Sequence, residues 1–135
     1  QQILLRYGAD LGGATQVPAD LVVIDRDVVA AVRAQAEQIH VAESLIGYVL
    51  ELVRASREHP RIELGLSTRG ALSMVRAARV LAGLRGAEFA TADDIKQAAR
   101  WAMSHRLRLS PQASIEGDTD TALVEGILSA TPVPR

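Results

Sequence analysis

The chain has 135 residues, a formal net charge of −1 at pH 7 and a hydrophobic content of 48%. A chain of this length forms one domain that buries roughly two thirds of the surface of its unfolded state. The near-zero charge gives no long-range attraction to nucleic acid or to an anionic membrane, and the absence of cysteine excludes disulfides and zinc–thiolate sites.

The sequence shows no sign of a membrane span or of secretion. No apolar run approaches the roughly 20 residues of a membrane span, and no signal peptide is visible, so we expect a cytoplasmic protein. The sequence does not begin with Met, and residues 1–7 read like the middle of a helix. We therefore interpret the chain as part of a longer protein.

The composition favours a mainly α fold. The chain contains one Phe, one Trp and two Tyr, so the core must consist of Leu, Val, Ile and Ala. Such a core suits closely packed helices. We predict a four-helix bundle with short extended segments and a short C-terminal helix.

The elements follow in chain order. Residues 1–8 are expected to end a preceding helix, and the glycine-rich stretch that continues to residue 20 reads as a linker. "LVVID", residues 21–25, is either a short strand or a packed extended segment. Apolar residues at a 3.6-residue period then predict amphipathic helices over 26–38, 42–58, 68–85 and 92–104.

The helical period also predicts which side chains face the core. In the order of the four helices, these are Val28, Val29, Val32, Ala36 and Ile39; Leu45, Ile46, Val49, Leu50 and Val53; Leu72, Val75, Leu81 and Leu84; and Ile95, Ala98, Ala99 and Ala102.

Several residues have the character of helix ends. Asp25 is a plausible N-cap of the first helix, and Gly86 is a C′ stop for the third. Thr91 caps the fourth helix, with Asp94 as a short relative of the capping-box glutamate. Asp118 is expected to cap a last short helix over 119–129.

Two short stretches alternate apolar and polar residues. "RIELGL" presents Ile62, Leu64 and Leu66, and "HRLRLSP" presents Leu107 and Leu109. Each is a candidate strand, and the two could pair. Because two strands alone are marginally stable, they would have to lie on the helices.

The sequence carries no complete catalytic site. A phosphate-binding G-x-x-x-x-G-K-[ST] loop and a G-x-S-x-G nucleophile motif are both absent. The three histidines, His40, His59 and His105, are widely spaced and form no metal-ligand motif. Asp118 and Asp120 lack the spacing of a calcium-binding loop.

The arginines of the third predicted helix are the remaining candidates. Arg69 follows Ser67 and Thr68 at the start of the helix, where a cation costs about 0.3–1 kcal/mol. Either Arg69 is an ordinary surface residue, or it and the free N–H groups of the helix start bind an anion such as phosphate. Arg76 and Arg79 form either a solvated polar stripe or a surface that faces a phosphate or a partner subunit.

Residues 64–107 resemble the C-terminal lid domain of MoxR-type AAA+ ATPases. In that family a Gly-x-Ser-x-Arg-x-Ala segment opens a helix rich in Ala, Leu and Arg, and a glycine turn, a helix with an Asp-Val/Ile pair and a closing His-Arg follow. The matching residues here are Gly65, Ser67, Arg69, Ala71, Gly86, Asp94, Ile95, His105 and Arg106. The resemblance extends over nearly the whole chain, and it departs at Thr68, where the family often has proline.

The resemblance implies specific roles. Arg69 matches the sensor 2 arginine, which reaches the nucleotide phosphates, and Ser67 is a weaker nucleotide-binding candidate as the helix N-cap. The intact protein is expected to use ATP and Mg²⁺, which its upstream AAA+ large domain would hold. The phosphate-binding loop, sensor 1 and the arginine finger would lie in that domain, so we expect the fragment alone to hydrolyse no ATP.

The resemblance also implies partners. These are the large domain, neighbouring subunits of a homo-oligomeric ring such as a hexamer, and a protein with a von Willebrand factor A domain. The work implied is chaperone-like remodelling or maturation of partner proteins. The division of the chain would be 1–20 as helix end and linker, 21–110 as the lid and 111–135 as a tail.

An alternative is a free-standing helical module that binds protein or nucleic acid. The near-neutral charge, the scarcity of aromatic residues and the lack of helix-turn-helix spacing disfavour nucleic acid. A coding sequence with a phosphate-binding loop upstream of Gln1 would favour the lid, and a start codon near Gln1 would favour the module.

Overall fold

A computed structural model of the chain describes residues 23–134. The helices within that range are α1 (Arg26–Gln38), α2 (Glu43–Glu58), α3 (Thr68–Leu84), α4 (Ala92–Met103), α5 (Pro111–Ile115) and α6 (Asp120–Ala130), and the strands are β1 (Ile62–Leu64) and β2 (Arg108–Leu109). The mainly α prediction is confirmed. The predicted helix end and linker over residues 1–20 lie outside the described residues.

The two short strands pair as the sequence suggested. β1 and β2 are antiparallel, with Ile62 opposite Leu109 and Leu64 opposite Arg108. β1 precedes α3 and β2 follows α4, so their pairing brings the start of α3 close to the end of α4. Ile62 is buried, and Leu109 packs against the same core, so the pair lies on the helices as expected.

The core lies between α2, α3, α4 and α6. Its largest fully buried side chains are Leu52, Leu66, Met74, Ile95, Met103, Val49 and Val124. Helices α3 and α4 pack against each other, and each buries small residues: Ala78 and Ala82 on α3, and Ala98 and Ala99 on α4. Because alanine has no side-chain heavy atom beyond its β-carbon, the two helices can approach closely.

The core face of α4 agrees with the predicted pattern, whereas those of α2 and α3 agree only in part. Ile46, Leu50, Leu72 and Leu84 are exposed, so their predicted burial is wrong. In α3 the buried stripe consists of Ala71, Met74, Ala78 and Ala82. Leu72 is two residues from Met74, about 200° around the helix, and therefore points away.

α1 differs most from its prediction. None of its residues is buried, and Val28, Val29 and Val32 of the expected core face are 40–53% exposed. Asp25 does cap this helix, because its carboxylate accepts a hydrogen bond from the Asp27 N–H. Val23 and Ile24 precede it in neither a helix nor a strand, and the first two residues of "LVVID" lie outside the described range.

α1 is fastened at its C-terminal end. The His40 N–H donates to the Glu88 carbonyl and the His40 carbonyl accepts from the Ala90 N–H, each at 2.9 Å. Ile39 packs against the core and contacts the helix at Gly83. α1 therefore lies along α3 with its N-terminal half largely exposed.

The start of α4 carries the predicted capping box. The Thr91 hydroxyl accepts from the Asp94 N–H, and the Asp94 carboxylate accepts from the Thr91 N–H at 2.8 Å. Arg85 donates to the same buried carboxylate. Gly86, with φ +71°, ends α3 as predicted and allows the reversal toward α4.

The role predicted for Asp118 is wrong. Thr119 caps α6, because its hydroxyl accepts from the Ala122 N–H at 3.2 Å. The turn at Gly117, with φ +84°, leaves Asp118 one residue before the cap, and its carboxylate pairs with Arg61 at 2.8 Å. The short helix α5, with Ser110 as its N-cap, was not predicted.

Candidate functional site

Arg69 lies in the first turn of α3. Ser67 is the N-cap of this helix, and its hydroxyl oxygen accepts a hydrogen bond from the Gly70 N–H at 3.2 Å. The Arg69 side chain is exposed, and within residues 23–134 no carboxylate forms an ion pair with it. Its guanidinium group is thus available to a ligand or a neighbouring domain.

Leu66 fixes the segment that leads to Arg69. Its side chain is fully buried, its N–H donates to the Ser56 hydroxyl at 2.9 Å, and its carbonyl accepts from Arg57 Nε at 2.9 Å. Ser56, itself fully buried, donates to the Val53 carbonyl at 2.7 Å. Both backbone polar groups of Leu66 are therefore bound by α2.

Two glycines allow this close fit. A β-carbon on Gly65 would lie 2.7 Å from the backbone of Arg57, and one on Gly70 would lie 2.4 Å from Leu66 Cδ1. Gly65 thus permits the chain to lie directly on α2, and Gly70 permits the first turn of α3 to cover Leu66. The position of Arg69 follows from these contacts.

The helix start offers an anion several donors. The first N–H groups of a helix have no intrahelical acceptor. Ser67 satisfies the N–H of Gly70, which leaves the backbone amides of Thr68 and Arg69 beside the Arg69 guanidinium. Peptide amides, a positive helix end and a planar guanidinium are together suited to phosphate oxygens. Ser67 retains a hydroxyl proton that it can donate.

Arg76 and Arg79 lie further along α3, and the structure adds a residue that the sequence analysis did not single out. Arg33 of α1 lines the same cleft as Arg76 and Arg79, which has a volume of about 690 Å³. Arg33 was missed because its nearness to α3 depends on how the two helices pack. The cleft begins about two helical turns from Arg69.

The structure supports no metal site in the part that it describes. Across residues 23–134 no three His, Asp or Glu side chains are grouped so that they could hold an ion. His59 follows the end of α2 and accepts a hydrogen bond from the Arg61 N–H, while His40 and His105 are exposed. Likewise, no helix in that range combines the length and apolar character needed to cross a membrane.

The described residues therefore form a helical bundle with an exposed arginine in the first turn of α3. A family model described as the AAA lid domain matches residues 54–127. The match covers more than half of the chain and includes Arg69. The chain belongs to the AAA lid domain family.

The chain is also similar to two curated proteins. The chain is 32% identical over 112 residues to the uncharacterized protein YeaC of Bacillus subtilis strain 168, which covers 83% of this chain and 35% of YeaC. It is 29% identical over 87 residues to the magnesium-chelatase subunit ChlI homolog of Methanocaldococcus jannaschii, which covers 64% of this chain and 22% of that protein. The chain thus spans about a third or less of these relatives.

A solved structure has the same fold. It is a candidate ATPase from Cytophaga hutchinsonii, which superposes with a TM-score of 0.79 at 26% identity over 99% of this chain and 42% of its own. The interpretation of the sequence as an AAA+ lid is confirmed.

Proposed function

We propose that this chain is the lid of a MoxR-type AAA+ ATPase and that Arg69 is its sensor 2 arginine. The observation that carries the proposal is the exposed guanidinium of Arg69 on a helix start fixed by Ser56 and Arg57. A fixed cation stabilises charge on a transferring phosphoryl group without reorganising.

The lid and the large domain would have different roles in the intact protein. ATP and Mg²⁺ would be held by the large domain of the intact protein, and ATP supplies the phosphoryl group. Arg69 and the neighbouring amides of α3 would donate to phosphate oxygens when the lid closes, in the same or the neighbouring subunit. Such contact makes phosphate binding depend on lid position, which couples nucleotide state to movement.

The remaining parts of the proposal concern assembly and purpose. The large domain and the neighbouring subunits of a ring, expected to be a hexamer, would contact the lid. The work would be chaperone-like remodelling of partner proteins, with a von Willebrand factor A domain protein as one partner. Residues 21–110 would form the lid and residues 111–135 its tail, and the isolated chain would hydrolyse no ATP.

The first experiment measures steady-state ATP hydrolysis by the intact protein and its Arg69→Ala variant. We expect turnover to fall by about tenfold or more, equivalent to at least ~1.4 kcal/mol of lost transition-state stabilisation. Arg69→Lys should recover part of the rate, because lysine keeps the charge and loses the bidentate geometry.

The matched control is Arg26→Ala, which removes another exposed arginine at the start of a helix, in α1. Its turnover and the oligomeric state of both variants should equal those of the native protein. An unchanged rate in Arg69→Ala would contradict the sensor 2 role and leave Arg69 as a surface residue at a helix start.

A further inference from the structure

The cleft between α1 and α3 has a basic end. Arg33 of α1 and Arg76 and Arg79 of α3 line it, together with one carboxylate, Glu37. Among residues 23–134 none of these three arginines forms an ion pair. Three cations that repel one another in one cleft favour an anionic occupant.

One donor of Arg79 also lacks a hydrogen-bond partner. Its Nε atom is buried and has no hydrogen-bond acceptor in the described part of the chain. A buried donor without an acceptor costs about 1–3 kcal/mol. A carboxylate placed in the cleft would offset the charge of the three guanidinium groups that line it.

The other end of the same cleft is apolar. Ala36 and Val80 line both the basic end and an adjoining groove of about 250 Å³, whose further walls include Val32, Ile39 and Leu84. Val32, Val80 and Leu84 are 47%, 40% and 77% exposed. The basic and apolar ends together form one continuous surface, which we name the α1/α3 groove.

We propose that the α1/α3 groove binds a segment of a partner protein that carries acidic side chains next to apolar ones. The acidic side chains would pair with Arg33, Arg76 and Arg79, and the apolar ones would cover Val32, Val80 and Leu84. This occupant explains both the unpaired arginines and the exposed apolar face of α1. The proposal goes beyond the nucleotide role of Arg69 and does not depend on it.

The probe is a short fluorescein-labelled peptide in which glutamate pairs alternate with leucines, and its binding to the full chain is measured by fluorescence anisotropy. We expect saturable binding that weakens with added salt. Binding should fall by about tenfold in Arg33→Gln and further in the Arg33→Gln/Arg79→Gln variant, where tenfold corresponds to about 1.4 kcal/mol. Arg33 is exposed, so its variant should fold even if the double variant does not.

Arg106→Gln and a glutamine-for-glutamate peptide are the matched controls. Arg106→Gln should bind the probe like the native chain, and the glutamine peptide should bind at least about tenfold more weakly. NMR spectra should show shifts in the methyl signals of Val32, Ala36, Val80 and Leu84 and none in those of Leu123 and Leu128.

Five results would overturn the proposal. The first is the absence of saturable binding, and the second is equal binding of the two peptides, which would indicate a purely apolar groove. A third is displacement of the probe by inorganic pyrophosphate alone, which would indicate a small-anion site. The fourth is self-association of the chain that Arg33→Gln abolishes, which would assign the groove to a second copy. The fifth is binding of the peptide only to a chain that begins at residue 23, which would assign the groove to the protein's own N-terminal segment.

Discussion

At the scale of a single residue, the side chain of Ser56 holds the segment that leads to the candidate phosphate site. Its buried hydroxyl accepts from the Leu66 N–H and donates to the Val53 carbonyl. Three residues after Leu66, the chain presents Arg69. The direction in which Arg69 points therefore depends on a hydrogen bond made in α2.

We expect Ser56→Ala to lower the free energy of unfolding by about 1–3 kcal/mol, because it leaves the buried N–H of Leu66 without an acceptor. Urea denaturation followed by circular dichroism measures the change. Ser73→Ala is the control, since the Ser73 hydroxyl donates to the Arg69 carbonyl on an exposed part of the helix. It should alter stability by less than about 0.5 kcal/mol, and an equal loss in both variants would refute the role of Ser56.

The sequence predicted that a helix starts at Ser67 with Arg69 in its first turn, because a helix start is a local feature. It could not predict the contacts of Ser56 and Arg57 with Leu66, which join residues ten and nine positions apart. Nor could it predict that Arg33 would share a cleft with Arg79, because that depends on how two helices pack. The sequence thus predicted the local features of the helix start, but it did not predict the long-range contacts that hold this helix start in place.

At the scale of single elements, α3 contains two glycines with opposite surroundings. A β-carbon on Gly70 would lie 2.4 Å from Leu66 Cδ1, and Leu66 is fully buried and has little room to move. A β-carbon on Gly83 would meet Ile39 at 4.0 Å, which is ordinary contact.

Gly70→Ala should therefore destabilise the chain, whereas Gly83→Ala should stabilise it by about 0.5–1 kcal/mol through the higher helix propensity of alanine. Overpacking at Gly70 is expected to cost about 1–3 kcal/mol, more than the propensity gain. Thermal unfolding of both variants provides the comparison. A gain in stability for Gly70→Ala would mean that Leu66 moves freely and does not fix the helix start.

The start of α4 carries the clearest pH dependence. Burial raises the pKa of the Asp94 carboxyl, but the hydrogen bonds from Thr91 and Arg85 and the charge of Arg85 outweigh it and hold that pKa below its ordinary range. A carboxyl whose pKa is depressed on folding stabilises the fold above its unfolded pKa, near 3.9. This contribution is lost as the pH falls through the lower, folded-state pKa.

Asp94→Asn should cost about 1–2 kcal/mol at pH 7, through the weakened cap and the lost charge pair. The difference from the native chain should shrink as the pH falls below about 4. Urea titrations at a series of pH values test this. Asp93→Asn is the control, because Asp93 is exposed in the same turn and should contribute only about 0.3–1 kcal/mol. A difference that is independent of pH would contradict the charge-based explanation.

Burial in α3 was only partly predicted from the sequence. A helical period that weights leucine most heavily selects Leu72 and Leu84, which are exposed. The true core stripe of α3 consists of alanines and Met74, and α4, which packs against α3, buries the small residues Ala98 and Ala99. Side-chain size alone does not reveal this match between two small-residue faces.

At the scale of the whole molecule, α6 belongs to the same core as α2 and α4. Leu123, Val124, Ile127 and Leu128 are all buried there. The ion pair of Arg100 with Glu125 joins α4 to α6 at the surface. The described chain is therefore expected to unfold as one cooperative unit that includes α6.

We expect Leu128→Ala to lower the free energy of unfolding by about 2–5 kcal/mol, the range for a buried leucine. Leu84→Ala makes the same chemical change at a side chain that is 77% exposed and should stay within about 0.5 kcal/mol of the native value. Calorimetry of both variants distinguishes the cases. A second, separate transition in Leu128→Ala would show instead that α6 melts as an independent tail.

The pairing of β1 with β2 has a consequence for the order in which the chain folds. Ile62 and Leu109 are partners across the strands, and all of α3 and α4 lies between them in sequence. The contact between α3 and α4 closes only the short turn around Gly86, so it has a much smaller entropic cost than the strand pair. We therefore expect α3 and α4 to pack against each other early in folding, and β1 and β2 to pair late.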